Sequence, residues 1–316
     1  MSSDVCAVVV TFNGMRWIRK CLCSLQTTPV DIIVVDNCFA DNSAEFIKSN
    51  FPNVHVIALS QNIGFGKANN IGIEEALSRK AKYIFLLNQD ARLETGTIER
   101  LVALLQKCPE VGVLSPVHLN GDGSLLDKQF LNYLGADNSE GRLLLTDCTL
   151  NRRGKELYEV PFVNAAAWLV PRETFELVGG FNPLFFQYGE DHNFLQRVLY
   201  HGKKISVCKD AFIYHDREGR GFDVSKSYGV ADLIYTCCDV SINYFGSMLR
   251  KTLMNLIRRS IKDMMLGRIY LLWVDLKKIS FLLSNQRKMR AIVDLTRTKG
   301  PHFLDKKSAI YESLRS

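Results

Sequence analysis

The chain opens on an unbroken apolar, β-branched run, Val5 to Thr11. A second follows at Asp31 to Asp36, where Ile32-Ile33-Val34-Val35 ends in an acid. Continuous runs of this kind, without strict alternation, predict strands buried on both faces. Val54 to Leu59 predicts a third strand and Tyr83 to Leu87 a fourth. Between them the apolar period lengthens to that of a helix. Residues 15–27 place Trp17, Ile18, Leu22 and Leu25 on one side, and 44–50 follow the cap signal Asp41-Asn42-Ser43. Residues 67–79 and 95–107 predict two more helices. Strands alternating with helices at this spacing predict an α/β sheet with helices on its faces.

Beyond residue 107 the pattern loosens. Residues 110–160 carry Gly-Asp-Gly at 121–123 and Arg-Arg-Gly at 152–154, and read as connecting structure, a hairpin over the site. An apolar segment follows from Pro161 to Val170, then a Gly-Gly-Phe-Asn-Pro turn at 179–183. Residues 190–200 predict a helix, Lys204 to Cys208 a strand, and from about 230 the pattern is helical and basic. No internal repeat or low-complexity linker interrupts it.

Distinctive polar groups fall just after the strands: Thr11 and Asn13, Asp36, Asn62 and Asp90. Open α/β sheets bind ligands at the carboxyl ends of their strands, so these positions mark the candidate site. A carboxylate at Asp36 can accept hydrogen bonds from a ribose or a base. In Asn62-Ile63-Gly64-Phe65-Gly66-Lys67-Ala68-Asn69-Asn70, glycines stand where the backbone turns sharply or approaches a ligand, and the following helix N-terminus can face phosphate. Plain turn glycines are the other reading. A dinucleotide-binding fold would place G-x-G-x-x-G after the first strand, where this chain has Thr-Phe-Asn-Gly.

Asp90 sits just past the fourth strand and suits Mg²⁺ held against a diphosphate, although a cap on the next helix is equally open. His215, after Ala211-Phe212-Ile213-Tyr214, is a candidate second ligand that makes Mn²⁺ plausible too. Glu190 and Asp191 stand at the mouth of a helix behind Phe185 and Phe186. The helix dipole would stabilise both acids. A partly enclosed carboxylate there could also take a proton from a sugar hydroxyl.

Composition narrows the classes. Across 316 residues, 47% are apolar and 23% charged, which excludes a wholly disordered or collagen-like chain. No apolar run reaches the eighteen residues of a membrane span, and Met1 to Val5 begin no recognisable secretory signal. The nine cysteines lack zinc-site spacing and read as free thiols in a reducing cytosol. The charge is split. Residues 246–316 hold 16 basic and 5 acidic residues, whereas 1–245 hold 24 basic and 28 acidic. A mildly acidic body argues against nucleic acid as partner. A basic, apolar tail suits an anionic membrane surface or an anionic lipid substrate. The expected location is the cytoplasm, with a peripheral place at the inner face of the cell membrane left open. Within 246–299, Leu249, Leu253, Leu256 and Ile257 share one helical face amid Arg250, Lys251, Arg258 and Arg259. Such a helix lies in a membrane interface or packs on the core, and both stay open.

The ordered set Val-Val-Val-Thr-Phe-Asn (8–13), Val-Val-Asp-Asn (34–37), Asn-Ile-Gly-Phe-Gly-Lys-Ala-Asn-Asn-Ile-Gly (62–72), Leu-Asn-Gln-Asp (87–90), Gly-Gly-Phe-Asn (179–182) and Tyr-Gly-Glu-Asp (188–191) resembles the family 2 inverting glycosyltransferases, the rhamnosyltransferase-like branch above all. The resemblance covers roughly residues 4–220. It implies a GT-A fold over 1–230, with 1–107 as the nucleotide-binding half, 108–230 as the acceptor-binding half, and a helical region over 231–316. It also implies a nucleotide-diphosphate sugar donor, dTDP-rhamnose first and UDP-hexoses next, a divalent cation (Mg²⁺ or Mn²⁺), and a glycan or lipid-linked acceptor in cell-surface polysaccharide assembly. By position, Thr11 and Asn13 would line the nucleotide pocket and Asp36 would touch base or ribose. Asn62, Gly64 and Asn69 would support nucleotide and donor sugar. Asp90 matches the last acid of the D-x-D metal motif, Asp191 the base, Glu190 a hydroxyl-holding neighbour, and His215 the histidine that completes the metal site.

Two departures stand out. Asn88 replaces the first acid of D-x-D, leaving one carboxylate for the metal. Asn193 replaces a further acid after Glu-Asp, a secondary contact. A pyrophosphorylase would need a phosphate loop richer in Gly, Lys and Arg than residues 11–16. A non-catalytic nucleotide-sugar-binding or membrane-associated protein of the same fold would not need Asp191.

Overall fold

The computed structural model describes residues 3–38, 41–134, 138–217, 228–241 and 244–304. The first half runs β1 (Val5–Thr11), α1 (Ile18–Leu25), β2 (Asp31–Asp36), α2 (Ser43–Asn50), β3 (His55–Ala58), α3 (Phe65–Ser78), β4 (Tyr83–Asn88), β5 (Ala91–Leu93) and α4 (Thr97–Lys107). The middle runs β6 (Val111–Asn120), α5 (Lys128–Leu134), α6 (Ser139–Thr149), β7 (Leu157–Glu159), β8 (Ala167–Pro171), α7 (Arg172–Val178), α8 (Glu190–Tyr200) and β9 (Lys204–His215). Three helices follow: α9 (Tyr228–Cys237), α10 (Phe245–Met265) and α11 (Ile269–Thr296).

The strands form one mixed sheet in the order β3-β2-β1-β4-β8-β6-β9-β5, with β7 also paired to β9. β1 to β4 are parallel, β8 runs against β4, and β6 and β9 lie parallel to each other beyond it. β1 is buried along its whole length, and its side chains divide by the period of two. Cys6, Val8 and Val10 enter a core roofed by α3 and by α5 to α8. Val5, Ala7 and Val9 enter the opposite core, under α1, α2 and α4. The continuous apolar run was thus the mark of a strand covered on both sides. β3 is the edge strand and half-exposed, which shortens it to four residues.

The structure corrects the reading of residues 110–160. This stretch is not connecting structure, because β6 crosses the middle of the sheet and is almost wholly buried. Gly112, Pro116 and His118 disguised it. Pro116 is tolerated because the pairing with β9 slips in register between Pro116 and Val117. The same slip hid the length of β9. Its partners jump from Cys208 to Phe212, and the polar pair between them, Lys209 and Asp210, is bonded to itself at 2.9 Å. Asp90 is not a helix cap, since β5 intervenes and Glu94 O accepts the Thr97 amide as α4 begins. The first helix is shorter than expected, because Gly14 O receives both the Trp17 and Ile18 amides in a turn.

The helical region forms a third core, in which Leu249, Leu256, Leu282, Met289 and Val293 pack with Phe185 and Ile234. The apolar face expected of 249–257 therefore divides: Leu249 and Leu256 are buried, Leu253 is half-buried and Ile257 is exposed. Residues 305–316 of the tail lie outside the described residues.

α3 lies close on β1 and β2 because Gly72 has no side chain. A Cβ there would fall 2.3 Å from Val8 Cγ1 and 3.3 Å from Val35 Cγ2. Gly72→Val is expected to destabilise the fold by about 1–3 kcal/mol through overpacking, read as a lower urea midpoint at unchanged slope.

Candidate active site

The chain leaves β1 toward β2 and β3 on one side and returns to β4 on the other, so the loops after β1 and β4 part at the carboxyl edge. Gln89 bridges them. Its Oε1 accepts Thr11 Oγ1–H at 2.7 Å and the Phe12 amide at 3.0 Å, and its Nε2 donates to Phe12 O at 3.0 Å. Thr11 is buried beneath this clamp, and Asn13 is exposed beyond it in the left-handed region, at φ 50°. Asp36 ends β2 fully buried, and burial raises its pKa from the ordinary value, although Oδ1 accepts the Cys38 amide. Its neighbour Asn37 staples the next loop, donating to Asn62 Oδ1 at 2.9 Å and accepting the Ile63 amide at 3.0 Å.

That loop is docked against the acid-bearing segment. Gly64 adopts φ +90°, and a Cβ would strike Phe186 O at 2.2 Å. The next amide, Phe65 N–H, donates to that carbonyl at 3.0 Å. A Cβ on Gly66 would lie 3.5 Å from Glu190 Cβ, so the first turn of α3 lies against the acids. Asn69 is buried and donates to Phe65 O within the same turn. Asn70 reaches across the fold, accepting the Phe181 amide at 2.7 Å and donating to Phe181 O at 2.8 Å.

Glu190 and Asp191 open α8. Burial raises the pKa of both, and that of Glu190 is pushed up to about 8, with the Asp191 charge the second cause. Adjacent carboxyls in a dry site share one charge more readily than two. Asp191 is the better place for it, because it accepts the His192 amide at 2.8 Å, receives the Ala165 amide and has His192 beside it. Of the two, Glu190 is therefore the carboxyl held higher, and Asp191 the one that ionises first. Behind the pair, the fully buried Arg197 donates to Val178 O, and to Gly180 O at 2.6 Å, neutralising the carbonyl end of α7 and fixing the 179–183 turn.

The segment that touches Asp191 also holds the start of the turn that carries Asp90. Ala166 O, one residue beyond the Ala165 amide, accepts the Asn88 amide at 2.9 Å at the start of the Asn88-Gln89-Asp90 turn. Asp90 is buried, and its Oδ2 lies 3.4 Å from His215 Nε2. Strand pairing of Ala91 with His215 sets that distance. Arg217 Nε donates to the same His215 Nε2 at 3.3 Å, so the ring's other nitrogen, Nδ1, carries the proton. Nδ1 faces Asp127 Oδ2 across 3.7 Å, an electrostatic contact rather than a hydrogen bond. Asp127 is held by capping α5, where its Oδ1 accepts the Phe130 amide.

Among the described residues, no three His, Cys, Asp or Glu side chains are arranged to hold a metal ion by themselves. The pair Asp90 and His215 fits as part of a cation site once Arg217 Nε withdraws from the Nε2 lone pair that an ion would use. Adjacent octahedral ligands at about 2.1 Å lie about 3 Å apart, close to the distance between these two atoms. An imidazole whose other nitrogen faces a carboxylate is also the usual arrangement of a ligating histidine. The remaining ligands would have to come from phosphate oxygens or water.

The structure thus brings the loop of Asn62 and Gly64 against the segment leading to Glu190 and Asp191, and brings Asp90, in the turn after Asn88, against His215. Asn37, Asn70, Gln89, Asp127 and Arg217 were not singled out in the sequence, although Asn37, Asn70 and Gln89 lie inside the quoted motifs. A surface cavity near Lys155 and Lys204 opens at the far end of β6 and β9, where those lysines pair with Glu140 and Glu159.

A model of glycosyl transferase family 2 matches residues 6–178, more than half of the chain. The protein belongs to that family. As a family 2 glycosyltransferase it is 26% identical over 220 residues to dTDP-rhamnosyl transferase RfbF of Shigella flexneri, covering 68% of this chain and 70% of that one. It is also 26% identical over 244 residues to the N-acetylglucosaminyl-diphospho-decaprenol L-rhamnosyltransferase of Mycobacterium tuberculosis, covering 70% and 79%. Two solved structures show the GT-A fold. GalNAc-T7 with UDP, GalNAc and Mn²⁺ superposes with a TM-score of 0.57 at 16% identity, over 89% of this chain and 57% of that one. S. aureus TarS 1-349 with UDP-GlcNAc gives 0.52 at 17% identity, over 81% and 67%. The mixed sheet and helical C-terminal region expected from the motifs are both present.

The Glu190 carboxyl binds its proton more tightly folded than unfolded, so folding is favoured below about pH 4.5 and that advantage is lost as pH rises toward about 8. Denaturant midpoints measured from pH 5 to 8.5 are expected to fall through this window, and Glu190→Gln should flatten the slope.

Proposed function

We propose that this glycosyltransferase moves a sugar from a nucleotide-diphosphate donor to a hydroxyl of a glycan or lipid-linked glycan with inversion at the anomeric carbon. dTDP-rhamnose is the first donor to test and UDP-hexoses the next. The names of the two rhamnosyltransferase relatives support the donor, and the decaprenol relative supports a lipid-linked acceptor. The observation that carries the reading is the segment 164–166, which touches Asp191 through one amide and the Asn88-Gln89-Asp90 turn through the next carbonyl. A base and a diphosphate site at a fixed separation are what a single displacement needs.

Asp191, carrying the charge of the pair, takes the acceptor proton as the hydroxyl oxygen bonds to the anomeric carbon. The bond from that carbon to the diphosphate breaks on the opposite side, so no covalent enzyme intermediate forms. Glu190, protonated, donates a hydrogen bond to a sugar hydroxyl. Asp36, Asn62 and the loop around Thr11 and Asn13 hold the nucleotide, with residues 1–107 as the donor half and 108–230 as the acceptor half. Asp90 and His215 would hold Mg²⁺ or Mn²⁺, which when bound would offset charge on the departing diphosphate. Asp127 would hold the His215 ring by drawing on its Nδ1 side, and Arg217, displaced from Nε2, would add a second positive group beside the diphosphate.

Calorimetric titration with UDP and with dTDP, each with and without Mg²⁺ or Mn²⁺, tests the donor half. Metal-dependent binding of one nucleotide is expected, and binding of neither would remove the reading. Asp127→Ala should weaken the metal-dependent part by about 10–100-fold. In transfer assays, Asp191→Asn should lower turnover at least about a hundredfold. A folded variant with near-normal turnover would take the base role from Asp191.

A further inference from the structure

We propose that the α10–α11 hairpin is a docking arm whose tip enters the interfacial layer of an anionic lipid bilayer. The inference is independent of the sugar-transfer reading and rests on how the hairpin divides its surfaces. One end is anchored. Leu282, Met289, Ile292 and Val293 of α11 are fully buried in the third core, and Thr296 O meets His201 Nε2 at 2.9 Å. The other end projects. From Leu282 back to Ile269 the helix rises about 20 Å at 1.5 Å per residue.

The projecting end is apolar and open to solvent. Met264, Met265, Leu266, Ile269, Tyr270 and Trp273 are all exposed, with Met265 at 80% and Ile269 at 77%. They come from both helices and the three-residue connection between them, so they cluster at the turn of the hairpin. A cluster of this size on a soluble surface marks an interaction site. Among the described residues, no helix is long and apolar enough to cross a membrane, so the arm would lie in the interface and not span it.

Charge complementarity selects the partner. Residues 246–299 hold 13 basic and 3 acidic residues. Two of the three acids are turned inward. Asp275 is buried in an ion pair with Arg259, and Asp263 is buried with Arg268 at 3.8 Å. The outward face near the tip is therefore apolar at its end and basic behind it, where Arg258, Lys262 and Lys277 are exposed. Trp273 and Tyr270 are residue types that settle at a headgroup boundary, and Lys277 Nζ sits 3.3 Å from the Trp273 ring centroid. A second copy of the chain would set that row of cations against its own image, which is repulsive. An anionic bilayer offers negative charge outside and an apolar layer within, in the same order as the arm.

The test is flotation of the full chain with phosphatidylcholine vesicles and with vesicles containing phosphatidylglycerol. The wild-type chain should co-float with the anionic vesicles and much less with the neutral ones. Leu266→Glu with Ile269→Glu should lower partitioning at least about tenfold. Removing Arg258, Lys262 and Lys277 as glutamines should lower the anionic preference by about fivefold per charge. Wild-type protein that stays in the bottom fraction with both vesicles would overturn the proposal. So would a folded tip variant that floats as well as wild type, or sedimentation velocity showing a dimer, lost in that variant, without vesicle binding. If the charged variants lower the melting temperature, Trp emission decides instead. A blue shift on adding anionic vesicles, absent in Trp273→Phe, supports the arm, and no wild-type shift overturns it.

Discussion

Asn70 and the backbone of Phe181 exchange two hydrogen bonds, and the relation between the two halves of the molecule hangs on that pair. Asn70 lies on the first helix of the motif that follows β3, and Phe181 lies in the turn that leads to the acids. Both partners are fully buried, so neither bond can be replaced by water without opening the core. The Phe65–Phe186 bond adds a third tie at the crevice, and Arg197 holds the same turn from behind. Two stretches remote in sequence, 65–70 and 180–197, are thereby fixed to each other before any ligand arrives, which reduces the ordering cost of binding.

This frame explains why the site tolerates so much negative charge. Asp36, Asp90, Asp127, Glu190 and Asp191 line or support one crevice, and an anionic donor would add more. The protein limits the repulsion by raising the Glu190 pKa through burial, by spending one oxygen of Asp127 on a helix cap, and by setting Arg217 against His215. A cation shared between Asp90, His215 and a diphosphate would fit the same economy.

The central strands were legible in the sequence because burial on both faces writes an unbroken apolar run. β6 was not, because a register slip lets proline into the strand and a buried histidine occupies its end. The β4–β5 turn was half-legible: Asp90 was evident, whereas the three residues of β5 were too few to show a period. In the site, the residues that would touch ligand stood out at strand ends. Gln89, Asp127 and Arg197 did not, since each acts on a backbone or ring far away in sequence and no local pattern records that partner. The tail showed its amphipathic composition but not which residues face the core, because α11 keeps apolar residues on several sides and only its packing against α9 and α10 distinguishes them.

The pairing of β8 with β4 acts as a caliper. Ala167 lies opposite Leu87, and the two residues just before it reach Asp191 and the Asn88 amide. A slip of one residue would move the amide beside Asp191 and the carbonyl beside Asn88 together, so the spacing between the proposed base and the diphosphate end is one strand register and not two independent loop conformations. The loops at 120–127 and 62–66 lie outside that register, so their shape can change without moving this amide and this carbonyl relative to each other.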